Sequence, residues 1–297
     1  MKSIIHKFIT RWFILPALLL PAALIAQESE TASKPAKEFV RRTFENPVVI
    51  NNQTTEVNGH KSLEFMIQHR FGLMKESDDL FGIYAPANIR LGLSYGITDR
   101  ITVGLGVTKL KMLYDLNGKV ALLRQAKENG SPVSVTYYGT VARSDQEKEN
   151  FLNSENEFKS AYKLSYFHEL IVGRKISSKL SLMLAGTYSH FNIIDSAYGQ
   201  HDFYGVSFAG RYKFSPQSSV IVDFDYLLNV SDIDELIRPK PNLSIGYEVS
   251  TGSHQFQIFV ATGTQIINQE YRVFNLHEIS ETDFVLGFNI TREWSFK

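Results

Sequence analysis

The chain has 297 residues with 31 basic and 31 acidic side chains, so its formal net charge at pH 7 is zero. Nucleic-acid-binding proteins usually have an excess of basic residues, which this chain lacks. Nucleic acid is therefore not an expected partner. The sequence contains no cysteine, which excludes disulfide bonds, thiolate metal sites, a cysteine nucleophile and a lipoprotein anchor.

The first 26 residues have the pattern of a secretory signal peptide. Lys2, Lys7 and Arg11 precede the apolar stretch WFILPALLLPAALIA, which is short and interrupted by prolines. We predict cleavage after Ala26, where Leu24 is larger than the residue usual at that position; an uncleaved anchor is the alternative. The later sequence lacks a run of roughly 18 apolar residues, the length of a membrane-spanning helix. The exported protein is therefore either soluble or crosses a membrane with strands.

Residues 27–58 form a polar segment, in which FENPVVINNQTTEVNG begins either a plug or a strand. The β-barrel domain is predicted over 59–297. From His60 onward, apolar residues alternate with other residues at a period of two, which is typical of strands with two unlike faces. A helical period does not persist long enough to predict a substantial helix. The twelve predicted strands lie at about 60–71, 87–97, 101–108, 114–123, 133–141, 161–174, 180–189, 204–214, 220–228, 242–249, 255–260 and 283–290.

The connections between these strands alternate between short and long. TDR, KENG, KISSK, SPQS and STGSH are short, whereas MKESDDLFGIY and NVSDIDELIRPK are longer and polar. This alternation predicts an all-β fold, an up-and-down antiparallel transmembrane barrel of about 12 strands with short periplasmic turns and longer extracellular loops. Both ends of the barrel domain then lie on the short-turn side. Outer-membrane lipid is the expected surroundings.

A soluble exported β-barrel or sandwich, located in the periplasm, would show the same alternation. Strands of ten or more residues, small polar residues on the second face and aromatic residues near strand ends favour the membrane. In IRLGLSYGITDRITVGLG, the side chains predicted to face lipid are Leu91, Leu93, Tyr95, Val103 and Leu105, and those predicted to face the lumen include Arg90, Ser94 and Thr102.

The stretches TFENPVVINNQTTEVNGHKSLEFMIQHRFG and DLFGIYAPANIRLGLSYGITDRITVGLG resemble an uncharacterised β-barrel family of exported proteins from Bacteroidetes-type Gram-negative bacteria. The resemblance is best over residues 43–125. It implies an outer-membrane or envelope barrel, without a known activity or known catalytic residues. The terminal REWSFK places Phe296 before Lys297, whereas outer-membrane barrels usually end on an aromatic residue. We nevertheless expect the last strand to engage the barrel-assembly machinery.

Two hydrolase patterns are weak. His60, Lys61 and Ser62 supply an H-x-S triplet, but a polar strand start explains it better than a nucleophile and its base. The acidic pair of residues 223 and 225, with the His-Asp pair at 201–202, offers the groups of a protease. A structural ion pair is the simpler explanation, since opposite charges on neighbouring strands commonly pair.

We predict two such lumenal pairs, Arg211 with Asp223 and Arg90 with Glu64. A metal site formed by His190, His201, Asp195 and Asp202 lacks the tight ligand spacing of recognised sites. No catalytic residue, metal or cofactor is therefore predicted, and the protein is not expected to be an enzyme.

Two functions remain open. The first is a channel for small polar solutes, with a lumen lined by Glu64, Arg90, Ser94, Thr136, Arg211, Asp223 and Asp225. The second is a closed structural or binding barrel whose loops, especially 143–160 and 263–282, meet a partner. Twelve strands lie between the eight that side chains fill and the 16–18 of general porins, so strand number does not decide between them. The channel is the function we favour.

Overall fold

The computed structural model describes residues 38–74, 80, 82–151, 158–279 and 283–296. The predicted signal peptide and residues 27–37 lie outside this part. A hairpin of β1 (Val48–Val49) and β2 (Asn52–Gln53) precedes the strands of the wall. Those strands are β3 (Ser62–Leu73), β4 (Asn88–Thr98), β5 (Ile101–Thr108), β6 (Leu113–Leu123), β7 (Ser134–Ser144), β8 (Leu164–Lys175), β9 (Leu180–Phe191), β10 (Asp202–Lys213), β11 (Ser218–Leu227), β12 (Asn242–Thr251), β13 (His254–Ala261) and β14 (Val285–Ser295).

Within the described residues, these twelve strands close into one antiparallel barrel. Each strand pairs with its neighbours in sequence, and β14 pairs with β3 to complete the wall. The predicted fold class and strand order are thus confirmed. Among the same residues, no helix has the length and apolar character needed to cross a bilayer.

The connections also follow the predicted alternation, with one difference. The link after β6 spans residues 124–133, although it lies at the short-turn end. Phe39 forms a β-bridge with Ala126 in this link, and the amide of Val40 donates to the carbonyl of Gln125 at 2.8 Å. The link is therefore held by the chain segment that enters the barrel beside it.

The outer wall carries the apolar faces of the strands. Leu91, Leu93, Tyr95, Val103 and Leu105 are each 38–56% exposed, and the residues that alternate with them turn inward. Such a continuous apolar surface exceeds the patches that soluble monomers tolerate. The predicted lipid-facing orientation of these side chains is confirmed.

Two inserts fill the interior of the barrel. The first is the segment 38–61, which carries the hairpin and enters from the short-turn end. Its turn residue Ile50 has a φ of 54°, an unusual conformation for a β-branched residue. It is held by burial and by two donors to its carbonyl, Arg70 Nη2 at 3.2 Å and Asn289 Nδ2 at 2.9 Å. The sequence left open whether this segment begins a plug or a strand of the wall, and in the structure it forms a plug.

The second insert comes from the opposite, long-loop end. The connection between β13 and β14 carries a short helix, α1 (Asn268–Val273), and all six of its residues are buried. The sequence predicted no substantial helix, and the six-residue α1 agrees with that prediction; it also suggested that the loop 263–282 meets a partner, whereas residues 266–273 of this loop are buried inside the barrel. The physical reason is apolar burial: Ile266, Ile267 and Tyr271 are at most 4% exposed, and an outward loop would leave them in water.

The two sides of the interior differ in chemistry. The side formed by β8–β14, called the anchoring half below, presents buried apolar side chains that include Phe167, Ile171 and Phe259, and these pack with Val49 and Ile50 of the hairpin. The side formed by β3–β7, called the polar half, presents mainly charged and polar side chains. The hairpin therefore docks on one wall more closely than on the other.

Candidate functional site

The tip of the hairpin is fixed to the anchoring half by hydrogen bonds. The amide of Asn51 donates to Asp223 Oδ2 at 2.9 Å, and Asn52 Nδ2 donates to Asp225 Oδ2 at 3.1 Å. The amide of Ile50 donates to Gln257 Oε1 at 3.2 Å. Both aspartates project inward from β11 and are at most 2% exposed. Buried carboxylates need such partners, so the hairpin tip and β11 stabilise each other.

Asp225 also binds the second insert. Tyr271 Oη donates to its Oδ2 at 2.5 Å, and Arg272 Nη2 lies 2.9 Å from its Oδ1. Arg272 Nη2 also donates to Asn52 Oδ1 at 2.5 Å, and Tyr271 Oη lies 2.8 Å from the same oxygen. One wall residue therefore joins the hairpin to α1, and we call this contact the junction.

The base of the hairpin contacts several strands. Thr136 Oγ1 donates to the carbonyl of Thr55 at 2.9 Å, and Lys119 Nζ donates to the carbonyls of Pro47 at 2.7 Å and Glu56 at 3.1 Å. Inside the segment, Glu56 Oε1 accepts the amide of Thr43 at 2.8 Å. Burial raises the pKa of the Glu56 carboxyl, although backbone donors act in the opposite direction.

The predicted ion pair of Arg211 with Asp223 is wrong. Arg211 Nε instead lies 2.7 Å from Glu248 Oε1, and its Nη2 lies 3.5 Å from Glu45 Oε1 on the hairpin segment. The register of β10 and β11 sets Ala209 opposite Asp223 and Arg211 opposite Ile221. The sequence placed these groups on neighbouring inward faces but did not fix the register to the residue.

The predicted pair of Arg90 with Glu64 is also wrong. Arg90 binds Asp115 with two donors, Nε at 2.9 Å and Nη2 at 2.7 Å, and Glu64 stands opposite Ser94 in the register. Gly106 makes room for this pair, because a Cβ at that position would lie 2.4 Å from both Arg90 Nη2 and Asp115 Oδ2. The Arg90–Asp115 ion pair thus stabilises the wall of the polar half.

A narrow space remains between the hairpin and the polar half. One part has a volume of about 40 Å³ and is lined by Glu64, Arg90 and Ser94 among others. A second part of about 10 Å³ lies against Ile266 and Ile267. We call both parts the inner cavity. A water needs about 10–15 Å³, so the described part of the lumen beside the hairpin has room for a few waters but not for a sugar-sized solute.

Wider spaces lie at the two ends of the lumen. The vestibule, at the long-loop end, has a volume of about 400 Å³, and a mouth cavity of about 380 Å³ lies at the short-turn end. Ile267 packs with Leu113 and Ala142 in a small apolar cluster, called the constriction below. Leu113 lines the vestibule and Ile267 lines the inner cavity. Within the described residues, the side chains of the constriction therefore lie between the two spaces.

The structure divides the seven predicted lumen residues into two groups. Glu64, Arg90 and Ser94 line the inner cavity. The other four are buried in contacts that hold the inserts or their surroundings; they are Thr136, Arg211, Asp223 and Asp225. Contact of any of these residues with a solute stays a prediction.

Sequence reasoning missed the groups that complete the junction. Asn51 and Asn52 stood in a segment with two open interpretations, and Tyr271 and Arg272 stood in a loop. One signal was available: the two asparagines lie between the short β-prone runs VVI and QTT, a pattern that favours a hairpin. The α1 sequence NQEYRV is too short for its period to be recognised.

The weak hydrolase pattern does not assemble into a site. His60 Nδ1 lies 2.8 Å from the carbonyl of Ile97, while Ser62 Oγ lies 3.3 Å from Ser295 Oγ. Asp202 and Tyr188 are joined at 2.6 Å, and His190 Nδ1 lies 2.7 Å from the same aspartate. These groups are partly exposed, whereas Asp223 is fully buried in the lumen. Among the described residues, no cluster of three or more side chains is arranged to hold a metal ion.

Comparison with known proteins agrees with the geometry. The sequence profile of a family described as membrane bound beta barrel domain (DUF5777) matches residues 44–294. The NanC porin, in a rhombohedral crystal form, superposes with a TM-score of 0.50 at 11% identity, covering 79% of this chain and 99% of the porin. An outer membrane channel from Pseudomonas putida F1 gives 0.51 at 11% identity, with coverage of 81% and 98%. At these identities the structures support the fold alone. Comparison with curated protein sequences finds no match.

Proposed function

The chain belongs to this family of membrane-bound β-barrels, and from that membership we propose that it is a non-enzymatic channel for small solutes. An up-and-down barrel that crosses a membrane resides in an outer membrane, so the predicted location is confirmed. In the part of the chain that the structure describes, the lumen is closed at the constriction. We infer that the passage runs along the polar half and that the hairpin stays in place when it opens.

The observation that carries the proposal is the position of the constriction, a small apolar cluster between two polar spaces. Ile267, Leu113 and Ala142 are at most 5% exposed and form the layer between the vestibule and the inner cavity. Apolar constrictions of this kind close a passage by excluding water, and a small displacement or a smaller side chain is enough to wet them. The segment that carries Ile267 belongs to a loop and not to the wall.

The chemistry of the polar half supports small polar solutes. Glu64 and Lys119 line the inner cavity together with the Arg90 guanidinium, so both signs of charge face the same narrow space. A lumen of mixed charge favours hydrated polar molecules over apolar ones. The apolar anchoring half offers no comparable surface, because the hairpin covers it.

The closed structural barrel is the second candidate, and the junction favours it. Asp225 ties both inserts to β11 by contacts of 2.5–3.1 Å, and a permanent plug would need such contacts. The two candidates differ in one respect. A channel needs a constriction that can be wetted, whereas a structural barrel gains nothing from spaces on both sides of it.

The substitution Ile267→Ala tests the proposal. It shortens the side chain at the constriction, and we expect ion conductance across planar lipid bilayers to rise clearly above that of the wild type. The matched control is Ile171→Ala, the same change at a fully buried position of the anchoring half, which destabilises the core by about 2–5 kcal/mol without touching the constriction. Bilayers that stay silent with both variants would contradict the channel and leave the closed barrel.

A further inference from the structure

The vestibule has the dimensions of a ligand site. Its volume of about 400 Å³ lies within the ~300–1,000 Å³ typical of small-molecule pockets. Its described walls come from the β5–β6 link, the long loop before β8, the loop after β9 and the end of α1. It faces the side from which a solute would reach an outer-membrane channel.

Its lining combines aromatic rings with hydrogen-bonding groups. The rings include Phe151, Tyr162 and Phe274, and the amides of Gln146 and Asn150 stand among them. Aromatic faces bind apolar surface, while amides supply both donors and acceptors. A sugar presents the same combination, since its C–H faces are apolar and its edge carries hydroxyl groups. A hydrocarbon would cover the Gln146 amide without supplying a partner for it, which is unfavourable.

The charges of the vestibule favour a neutral solute over an anion. The charged side chains in the described lining are Lys111, Lys163, Asp195 and Glu270, so positive and negative groups are equal in number. Lys111 Nζ is already paired with Glu270 Oε2 at 2.5 Å and lies 3.6 Å from the Phe274 ring centroid. Lys163 Nζ donates to the carbonyl of Gln146 at 2.5 Å. The Lys111 charge is therefore neutralised within the lining, and the charge of Lys163 is balanced by that of Asp195, so the lining has no excess positive charge to favour an anion.

An unusual backbone conformation in the β5–β6 link positions the Lys111 side chain in the vestibule. Lys111 and Met112 have φ values of 57° and 47°, which non-glycine residues rarely adopt. Ser144 Oγ holds this conformation by donating to the carbonyl of Lys111 at 2.7 Å. Backbone strain of this kind persists where the surroundings enforce it and is concentrated at functional sites. Lys111 thereby contacts Glu270 of α1 at the floor of the vestibule.

We propose that the vestibule is a binding site for a neutral, sugar-class solute. The inference deepens the proposed function by naming the class of solute, and it rests on that function for the solute's passage though not for its binding. A bound sugar would contact the Lys111–Glu270 pair, so it would lie directly above the segment that carries the constriction.

Binding is tested with the full barrel in a detergent that has no sugar headgroup. Saturation-transfer NMR is recorded with maltose as the neutral probe and with glucuronate and glucosamine as charged probes. We expect maltose to bind the wild type and to bind Tyr162→Ala about five- to tenfold more weakly, because one ring contact is lost. The matched control Tyr84→Ala removes an exposed tyrosine outside the vestibule and should bind as the wild type does. Should Tyr162→Ala fail to fold, judged by gel mobility before and after boiling, Asn150→Ala replaces it.

The outcomes separate this inference from the channel itself. Absence of maltose binding, stronger binding of glucuronate than of maltose, or equal binding by Tyr162→Ala and Tyr84→Ala would each overturn the sugar site. Maltose uptake is measured separately by swelling of liposomes that contain the barrel. Binding without uptake would overturn the channel and leave the site, and uptake without binding at the vestibule would overturn the site and leave the channel.

Discussion

The two halves of the interior differ in how their inward side chains are covered or paired. On the anchoring half, inward apolar side chains such as Ile171 and Phe259 are covered by the hairpin, and Asp225 fixes both inserts. On the polar half, Arg90 and Asp115 satisfy each other within the wall, and a narrow cavity separates them from the hairpin. The Arg90–Asp115 pair needs no contact from the hairpin. Among the contacts described above, only three side chains of this half donate hydrogen bonds to the hairpin segment, namely Arg70, Lys119 and Thr136. The difference indicates which side of a closed barrel can open without unfolding its insert.

Deleting the hairpin should have the largest effect, because it removes the insert that distinguishes the anchoring half from the polar half. Deletion of residues 38–58 leaves the anchoring half uncovered and empties the lumen of its largest insert. We expect conductance in planar bilayers to rise by about tenfold or more, because the interior of a twelve-stranded barrel is wider than side chains fill. Folding is checked by the change in gel mobility on boiling. Because the constriction remains after this deletion, the deletion is also made in the Ile267→Ala background, where an unchanged conductance of a folded barrel would contradict a lumenal position for the hairpin.

A substitution of one aspartate in each half tests whether the inserts depend on the anchoring half and not on the polar half. Asp225→Asn leaves Arg272 without its nearest carboxylate at the junction, and breaking a buried pair from one side costs about 3 kcal/mol. We expect hydrogen exchange in β1, β2 and α1 to become faster by a corresponding factor. Asp115→Asn breaks the Arg90 pair in the polar half and should leave exchange in the two inserts unchanged. Equal effects of the two substitutions would contradict the division into halves.

The charge of the inner cavity should affect selectivity more weakly. Glu64→Gln removes one negative charge from the polar half, and in an Ile267→Ala background we expect the permeability ratio to shift toward anions by about twofold. The control is Glu235→Gln, at an exposed residue of a long loop. Reversal potentials in a salt gradient measure the shift. The same shift in both variants would place the current outside the inner cavity.

The smallest expected effect concerns the base of the hairpin. Thr136→Val removes the donor to the carbonyl of Thr55, and the loss of one such hydrogen bond costs about 1 kcal/mol. Faster hydrogen exchange should therefore be limited to residues 54–58. Thr140→Val is the matched control, since Thr140 Oγ1 donates to Tyr138 Oη and not to the hairpin. Faster exchange throughout the hairpin after the first change would show that the base, and not the junction, anchors it.

The wall could be predicted from the sequence because its signal is local. Alternation decides which side of a strand faces lipid, and turn residues decide where the strand ends. Leu93 and Tyr95, for example, face outward as predicted. The predicted bounds differ most at the last strand, which runs from Val285 to Ser295 because β3 continues to pair with it down to Ser62.

The interior could not be predicted to the same depth because its contacts are non-local. The partner of Arg211 depends on a register that a shift of two residues would change, and the partner of Asp225 depends on where two separate loops enter the lumen. The sequence around inward apolar residues such as Ile171 does not indicate that a distant hairpin covers them. Alternation identified the inward positions, and only the fold shows what each of them contacts.

The central claim is that the passage lies along the polar half with the hairpin in place, and a cross-link tests it most directly. Because the chain has no native cysteine, Asn51→Cys and Ser244→Cys can be joined by a short, cleavable thiol reagent at a contact that measures 3.3 Å between Nδ2 and Oγ. In the Ile267→Ala background, conductance is recorded before and after cross-linking and again after cleavage. We predict that the locked hairpin leaves the current unchanged. Loss of the current on cross-linking, with recovery on cleavage, would show that the hairpin itself must move and would contradict the account.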